Sequence, residues 1–110
     1  MTSDEMFLSY RLLNPDARDY DYCLIPGELI KSDEGQAAVS SSLFELCCQD
    51  VPSAGDIQAV EDSEGEAVCL VRLTSVTVLR GREIADDVVC VPDRDDDGLY
   101  CLIGYRTVFR

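Results

Sequence analysis

The chain has 110 residues, 46% of them hydrophobic, and a formal net charge of -13 at pH 7. This is the length of one ordinary domain, and the hydrophobic content excludes a disordered chain. The acidic excess argues against direct binding to nucleic acid or to an anionic membrane surface, because both attract Lys and Arg. The absence of histidine excludes histidine-dependent nucleophilic catalysis and every His-containing metal site.

The residues before position 35 predict strands rather than helices. Residues 6–13 are rich in Leu, Phe, Tyr and Met and predict a strand that ends at an Asn-Pro-Asp turn. Residues 20–25 predict a second extended segment, with Tyr20, Tyr22 and Leu24 on one face and Asp21, Cys23 and Ile25 on the other. Pro26-Gly27 ends this segment in a turn, and residues 28–31 are a candidate for a short further strand.

The middle of the chain predicts the main helix and an acidic connection. Residues 33–48 have helical spacing of apolar side chains, and either Asp33 or Ser42 is placed to cap the helix. Residues 56–65 are strongly acidic and contain few large apolar side chains. We expect them to form an exposed loop or a short, poorly anchored helix.

The C-terminal part predicts three strands. Residues 66–79 are rich in Val and Thr and form the clearest strand of the chain. Residues 88–91 predict a short strand, residues 92–98 a loop, and residues 99–109 a strand that forms a hairpin with it. The alternating side chains expected on one face of the last strand are Leu99, Cys101, Ile103, Tyr105 and Phe109.

These elements together predict a single α+β domain over residues 1–110. Its sheet is antiparallel or mixed, has about five to six strands, and carries one main α-helix packed on it. Residues 69–79, followed by Arg80-Gly81-Arg82-Glu83-Ile84, resemble a segment of ASCH-type small β-barrels. The resemblance covers only these residues, and no functional residue is carried across from it.

The chain start and the cysteines indicate a cytosolic protein. The first residues contain no basic segment and no apolar run of a signal peptide, and no stretch approaches the roughly 18 apolar residues of a membrane span. We therefore expect the cytoplasm, which is the host cytosol if a phage encodes the protein. The six cysteines form no CxxC pair, and without an export signal we expect free thiols, mostly in the core. They are Cys23, Cys47, Cys48, Cys69, Cys90 and Cys101.

The acidic charge is concentrated in one part of the chain. Residues 1–66 carry 15 acids against three basic side chains, a net charge of -12, whereas residues 67–110 carry 7 acids and 6 arginines, a net charge of -1. Self-repulsion of this size destabilises a folded protein, so we expect a reason for it. A basic partner is one such reason, and a solvated, solubilising surface or adaptation to a salty environment are the alternatives.

The acids and tyrosines of the first part are the candidate partner-binding residues. Carboxylates in rows can imitate a phosphate backbone, and tyrosines beside acids anchor arginine-rich partners. We expect the arginines after residue 67 to pair with acids of the first part. The predicted partner-binding residues are Asp19, Tyr20, Asp21, Tyr22, Asp56, Glu61, Asp62 and Glu64.

The loop at residues 93–98 is the candidate metal site. Asp93, Asp95, Asp97 and Gly98 match the D-x-D-x-D-G start of a calcium loop, in which alternate carboxylates surround a hard cation. At the twelfth position of such a loop, where an acidic ligand is required, the chain has Gly104. We therefore expect a solvated loop, with a calcium-binding module as an alternative.

The sequence predicts a non-enzymatic, acidic binding or inhibitor protein that uses no cofactor. Its partner would be a basic protein, or the nucleic-acid-binding groove of a protein complex, with no direct contact to nucleic acid or membrane. Phage anti-defence inhibitors of the anti-CRISPR, DNA-mimicking kind and toxin-immunity proteins are examples of this class. A small cytosolic chaperone or adaptor for a secreted or structural protein is the alternative from a different class.

Overall fold

The computed structural model describes residues 1–92 and 94–110. The described residues form two α-helices and one six-stranded sheet, with short 3-10 turns at Gly27–Leu29 and Gly81–Glu83. No helix in these two stretches is long and apolar enough to cross a membrane. The elements in chain order are α1 (Ser3–Leu13), β1 (Asp21–Tyr22), β2 (Glu34–Ser40), α2 (Ser41–Leu46), β3 (Ile57–Glu61), β4 (Ala67–Arg80), β5 (Val89–Val91) and β6 (Leu99–Phe109).

The sheet is mixed, and its strands follow the order β1-β3-β4-β6-β2-β5. The central pairs β3–β4, β4–β6 and β6–β2 are antiparallel. The two outer pairs, β1–β3 and β2–β5, are parallel. This architecture confirms the predicted small α+β domain with a mixed sheet of up to six strands.

Both faces of the sheet are covered, which explains why apolar residues occur on both sides of its central strands. One face, called here the α1 face, packs Met6, Phe7 and Tyr10 of α1 against Ile57 and Leu70. A smaller cluster of Ala38, Ile84 and Tyr100 covers the other end of that face. The opposite face, called the α2 face, buries Phe44 of α2 among side chains of the central strands, including Val39, Val60, Val71 and Ile103.

The strands β4 and β6 lie where the sequence predicts them, but their partners differ from the prediction. The expected hairpin between residues 88–91 and 99–109 is wrong, because β5 pairs in parallel with β2. The eleven-residue β6 instead pairs along its length with the long β4, which offers more backbone hydrogen bonds than the three-residue β5. The predicted shared face of β6 holds only for Cys101, Ile103 and Tyr105; Leu99 is exposed, and Phe109 packs near α1.

Residues 6–13 form the helix α1 and not the predicted strand. Thr2 caps this helix: its Oγ1 accepts a hydrogen bond from the Glu5 backbone N–H, and the Glu5 carboxylate accepts one from the Thr2 N–H. This reciprocal capping box begins a helix before the apolar residues are reached. Met6, Phe7 and Tyr10 then share one helical face and are buried.

The predicted helix over residues 33–48 is correct only at its C-terminal end. Residues 34–40 form β2, because Ala37, Ala38 and Val39 are buried on both faces between β5 and β6. Ser40 is the N-cap of the six-residue α2, so neither Asp33 nor Ser42 caps the helix. Residues 28–31 form no strand, since a 3-10 turn occupies Gly27–Leu29.

The acidic connection at residues 56–65 contains the buried strand β3, which corrects the prediction of an exposed loop or short helix. Ile57 and Ala59 pack under α1, whereas Val60 packs on the α2 face. Small and polar residues such as Ala59 and Gln58 are weak strand formers. Pairing with β4 on one side and β1 on the other provides the stability that local preference does not.

Helix α1 depends on its N-cap, so we expect Thr2→Ala to destabilise the protein by about 1 kcal/mol. Chemical denaturation followed by circular dichroism measures this difference. Ser42→Ala is the control, because Ser42 is exposed and caps no helix. A Thr2→Ala protein that is as stable as the Ser42→Ala protein would contradict the role given to the capping box.

All six cysteines are free, and their exposure predicts which of them react. Cys69 and Cys101 are buried, as expected for core thiols, whereas Cys47 and Cys48 are exposed. Cys23 is partly covered, and the dense packing around its sulfur raises the pKa of the thiol to about 11. Since the thiolate is the reactive form, burial protects this sulfur further.

We therefore expect a thiol reagent to label Cys47 and Cys48 rapidly in the native protein at neutral pH. Cys23, Cys69 and Cys101 should react only after unfolding in guanidinium chloride. Mass spectrometry of peptides after timed labelling measures both rates. Equal labelling of Cys69 and Cys48 in the native protein would show that the core is packed differently.

Candidate functional site

The eight predicted partner-binding residues lie together at one edge of the sheet. Asp19 and Tyr20 precede the edge strand β1, which consists of Asp21 and Tyr22 and pairs with β3. The others flank β3: Asp56 precedes it, Glu61 ends it, and Asp62 and Glu64 lie in the turn to β4. We call these eight residues the acidic edge. At about 3.3 Å per residue, β3 separates its two acidic ends by roughly 15 Å.

The hydrogen bonds to carboxylates of the acidic edge come from neutral groups. Ser3 Oγ donates to Glu61 Oε2 at 2.6 Å, and the Ser53 N–H donates to Asp56 Oδ2 at 2.9 Å. Asp62 Oδ1 accepts hydrogen bonds from the backbone N–H groups of Glu64 and Glu66. Across residues 1–92 and 94–110, none of these acids forms an ion pair. No ion pair therefore neutralises their charge within the described chain.

One ion pair borders the acidic edge, because the Met1 ammonium pairs with Glu66 at 2.8 Å. The ion pairs of the arginines lie elsewhere. Two arginines pair with acids of the first part, as predicted: Arg106 with Glu34 at 3.4 Å, and Arg110 with Asp33 at 2.6 Å. Two others pair within the second part, contrary to the prediction: Arg82 with Asp97, and Arg94 with Asp86 and Asp96. The arginines that form ion pairs thus neutralise acids away from the acidic edge.

The two tyrosines of the edge differ in environment. The Tyr20 ring lies 4.8 Å from the Phe7 ring, and its hydroxyl donates to the Asp4 carboxylate, so Tyr20 attaches the edge to α1. Burial is the main cause that raises the pKa of Tyr20 above its usual value, and the bond to Asp4 adds to it. Tyr22 is 47% exposed and stacks edge-on against Tyr20. Tyr22 is therefore the tyrosine available to a partner.

Two cavities meet at the acidic edge. The larger, of about 670 Å³, lies beside α1 and mixes Asp19 and Asp56 with Arg18 and Arg72. The smaller, of about 390 Å³, is lined by Asp21, Cys48, Asp50, Pro52, Asp56 and Gln58, among other residues, and no Lys or Arg of the described chain lines it. Asp21 and Asp56 line both cavities. The smaller cavity is thus the more acidic of the two.

Gln58 and Asp50 are site residues that the sequence did not indicate. Gln58 is 3% exposed, and its Oε1 has no hydrogen-bond partner among the described residues. A polar residue between Ile57 and Ala59 indicates a buried polar side chain only if residues 57–61 are known to form a buried strand. Asp50 lies in the loop after α2, which closes over the cavity.

A pair of arginines that face each other across two strands was also not predicted from the sequence. Arg72 on β4 and Arg106 on β6 are register partners, and like charges directly opposite each other destabilise a sheet. Arg72 Nη2 donates to the Tyr10 hydroxyl at 3.4 Å, and Arg106 is held by Glu34. Residues so distant in sequence meet only through the strand register. They form a basic patch on the α1 face, beside the acidic edge.

Two carboxylates of the candidate calcium loop, those of Asp95 and Asp97, are engaged by the protein. Asp97 pairs with Arg82 at 2.9 Å, and Asp95 Oδ1 accepts the Asp97 N–H at 3.1 Å. Asp93 lies outside the described residues. Among the residues that are described, no group of three His, Cys, Asp or Glu side chains is arranged to hold a metal ion.

Comparisons with known proteins identify the fold. No family model and no curated protein matches this chain. Among solved structures, protein EF3133 from Enterococcus faecalis V583, of the family DUF984, is similar with a TM-score of 0.73 at 10% identity, over 98% of this chain and 93% of that one. An ASCH domain from Lactobacillus crispatus JV V101 is similar with a TM-score of 0.65 at 14% identity, over 98% and 94%. The chain therefore has an ASCH/DUF984-like fold.

Proposed function

We propose that the protein is a non-enzymatic acidic binding protein that docks its acidic edge on a basic surface of a partner protein. Phage inhibitors of nucleic-acid-binding defence complexes and toxin-immunity proteins act in this manner. The observation that carries the proposal is the gathering of six carboxylates without ion pairs in the described chain at the β1–β3 edge. Other described acids, such as Glu45 and Asp87, also form no ion pair, but the acids of this edge come together from two distant parts of the chain.

The electrostatics of the edge support fast and oriented association. Carboxylates spread over roughly 15 Å create a negative field that steers a basic surface into contact. The arginine pair Arg72 and Arg106 lies two to three strands away from β1, at about 4.8 Å per strand. Glu34 neutralises Arg106, and Arg72 forms no ion pair with any described residue, so a basic partner is favoured in orientations that meet the acids and avoid Arg72. The half-exposed Tyr22 then supplies an aromatic anchor.

An adaptor or chaperone role has one observation in its favour. Leu8 and Leu12 are exposed on α1, one turn apart, on the side that does not pack on the sheet. Such a stripe would bind an apolar segment of a partner. Apolar contacts gain strength with salt, whereas contacts of the acidic edge lose it, so the salt dependence of binding separates the two functions.

Charge reversal at the acidic edge tests the proposal with nona-arginine peptide as a basic probe. Asp19→Lys with Glu64→Lys should weaken binding by about tenfold, since each reversal removes an attraction and adds a repulsion. Asp87→Lys with Asp95→Lys is the matched control: it gives the same net charge, and its two residues lie near β5, at the opposite edge. Calorimetry at about 0.05 M and about 0.5 M salt measures the affinities.

Binding to the unaltered protein should fall steeply between the two salt concentrations. Equal loss of affinity in the edge and control variants would show that only net charge matters, and the acidic edge would then not be a site. Binding that persists unchanged at the higher salt concentration would contradict the electrostatic mechanism and favour the adaptor role.

A further inference from the structure

The smaller cavity at the acidic edge is lined by three carboxylates and by no Lys or Arg of the described chain. We call it the Gln58 cavity. Its polar lining includes the carboxylates of Asp21, Asp50 and Asp56 and the amide of Gln58. Asp56 accepts one hydrogen bond, from the Ser53 N–H, while Asp21 and Asp50 are exposed.

Gln58 lies at the inner side of this cavity. Its neighbours Ile57 and Ala59 pack under α1, so the alternation of the strand directs Gln58 to the α2 face. Asp21 is its register partner on β1, which places the two side chains next to each other on the same face. Gln58 is 3% exposed, yet its Oε1 accepts no hydrogen bond in the described chain.

A buried, unpaired carbonyl lowers the stability of the free protein, and native proteins rarely retain one without a reason. A ligand that donates a hydrogen bond to Gln58 Oε1 would remove this cost. The surrounding carboxylates require that the ligand be positively charged. Groups that lower stability but improve binding are a common feature of functional sites.

The geometry of the acids selects the kind of cation. They approach the cavity from β1 and from the loop before β3, and in the described residues they do not converge as the ligands of a metal ion would. A lysine ammonium is a compact charge that keeps its hydration, whereas a guanidinium spreads five N–H donors over a plane. An ammonium offers three donors from a single nitrogen, whereas a guanidinium offers five donors from three nitrogens and so reaches acceptors that are spaced around a cavity.

We propose that the Gln58 cavity receives the guanidinium group of an arginine side chain from the basic partner. This proposal rests on the proposed function, because it names the residue type that the acidic edge recognises. Gln58 Oε1 accepts one N–H at the inner end of the cavity, and the carboxylates of Asp21, Asp50 and Asp56 surround the outer N–H groups. The arginine would enter between β1 and the loop that follows α2.

The test compares nona-arginine with nona-lysine, which carry the same number of charges. The unaltered protein should bind nona-arginine about tenfold more tightly. Gln58→Met keeps the length of the side chain and the net charge but removes the acceptor, so it should abolish this preference while leaving salt-dependent binding of both peptides. Gln36→Met is the matched control, because Gln36 is exposed on β2 and should keep the preference.

Thermal unfolding is a second measurement, and its result differs between a binding role and a purely structural role of Gln58. Removal of an unpaired buried amide should raise the melting temperature of Gln58→Met by about 4 °C or more. Gln36→Met should leave it unchanged. Asp50→Asn, at an exposed position, should reduce the preference for arginine independently of the core.

The possible outcomes distinguish this proposal from the broader one. Equal binding of both peptides to the unaltered protein, still weakened by Asp19→Lys with Glu64→Lys, overturns the arginine site and leaves the acidic edge in place. A Gln58→Met protein that keeps the preference, or that melts at a lower temperature, also overturns the arginine site. An unaltered protein that binds neither peptide contradicts both proposals.

Discussion

The antiparallel pairing of β4 with β6 is the interaction on which the rest of the structure depends. The ladder runs from Leu70 opposite Phe109 to Arg80 opposite Leu99 and forms the centre of the sheet. It contains an irregularity between Leu73 and Ser75, where the hydroxyls of Thr74 and Ser75 lie against Gly104. A Cβ atom at Gly104 would lie 2.5 Å from Ser75 Oγ and 2.8 Å from Thr74 Oγ1, so a larger residue would require these hydroxyls to move. β3 attaches to one side of this ladder and β2 to the other, and β1 is held only through β3.

The acidic edge is a consequence of this order. The acids of residues 19–21 and 56–64 are distant in sequence, and they meet because the short β1 adds to β3 in parallel. Mutual repulsion of these carboxylates opposes the packing of the edge. The Tyr20 ring on Phe7 and the Ser3 bond to Glu61 tie the edge to α1, which offsets part of this repulsion. A strongly charged surface is therefore held in a fixed shape by apolar contacts beneath it.

The sequence predicted those elements whose local preference and final environment agree. Val and Thr side chains indicate β4, and alternation indicates β6. The prediction failed at two other elements. Apolar composition alone predicts a strand at residues 6–13, but Thr2 and Glu5 cap a helix there. Residues 37–39 have helical spacing, but they form a strand. β3 was not predicted because acidic residues surround it in the sequence. Its five residues form a stable strand only between β1 and β4. The acids of the edge could be named from the sequence. Gln58 and the Arg72–Arg106 pair could not, because their environments depend on the strand register.

The most direct test of the central claim is a map of the residues that a basic ligand contacts in solution. Backbone amide chemical shifts would be followed by NMR during a titration of the unaltered protein with nona-arginine. Shifts concentrated in residues 19–22 and 48–64, with little change in residues 81–92 and 94–98, are the predicted result. Comparable shifts in the acidic residues 86–87 and 95–97 would contradict the claim, because the peptide would then follow net charge rather than the acidic edge.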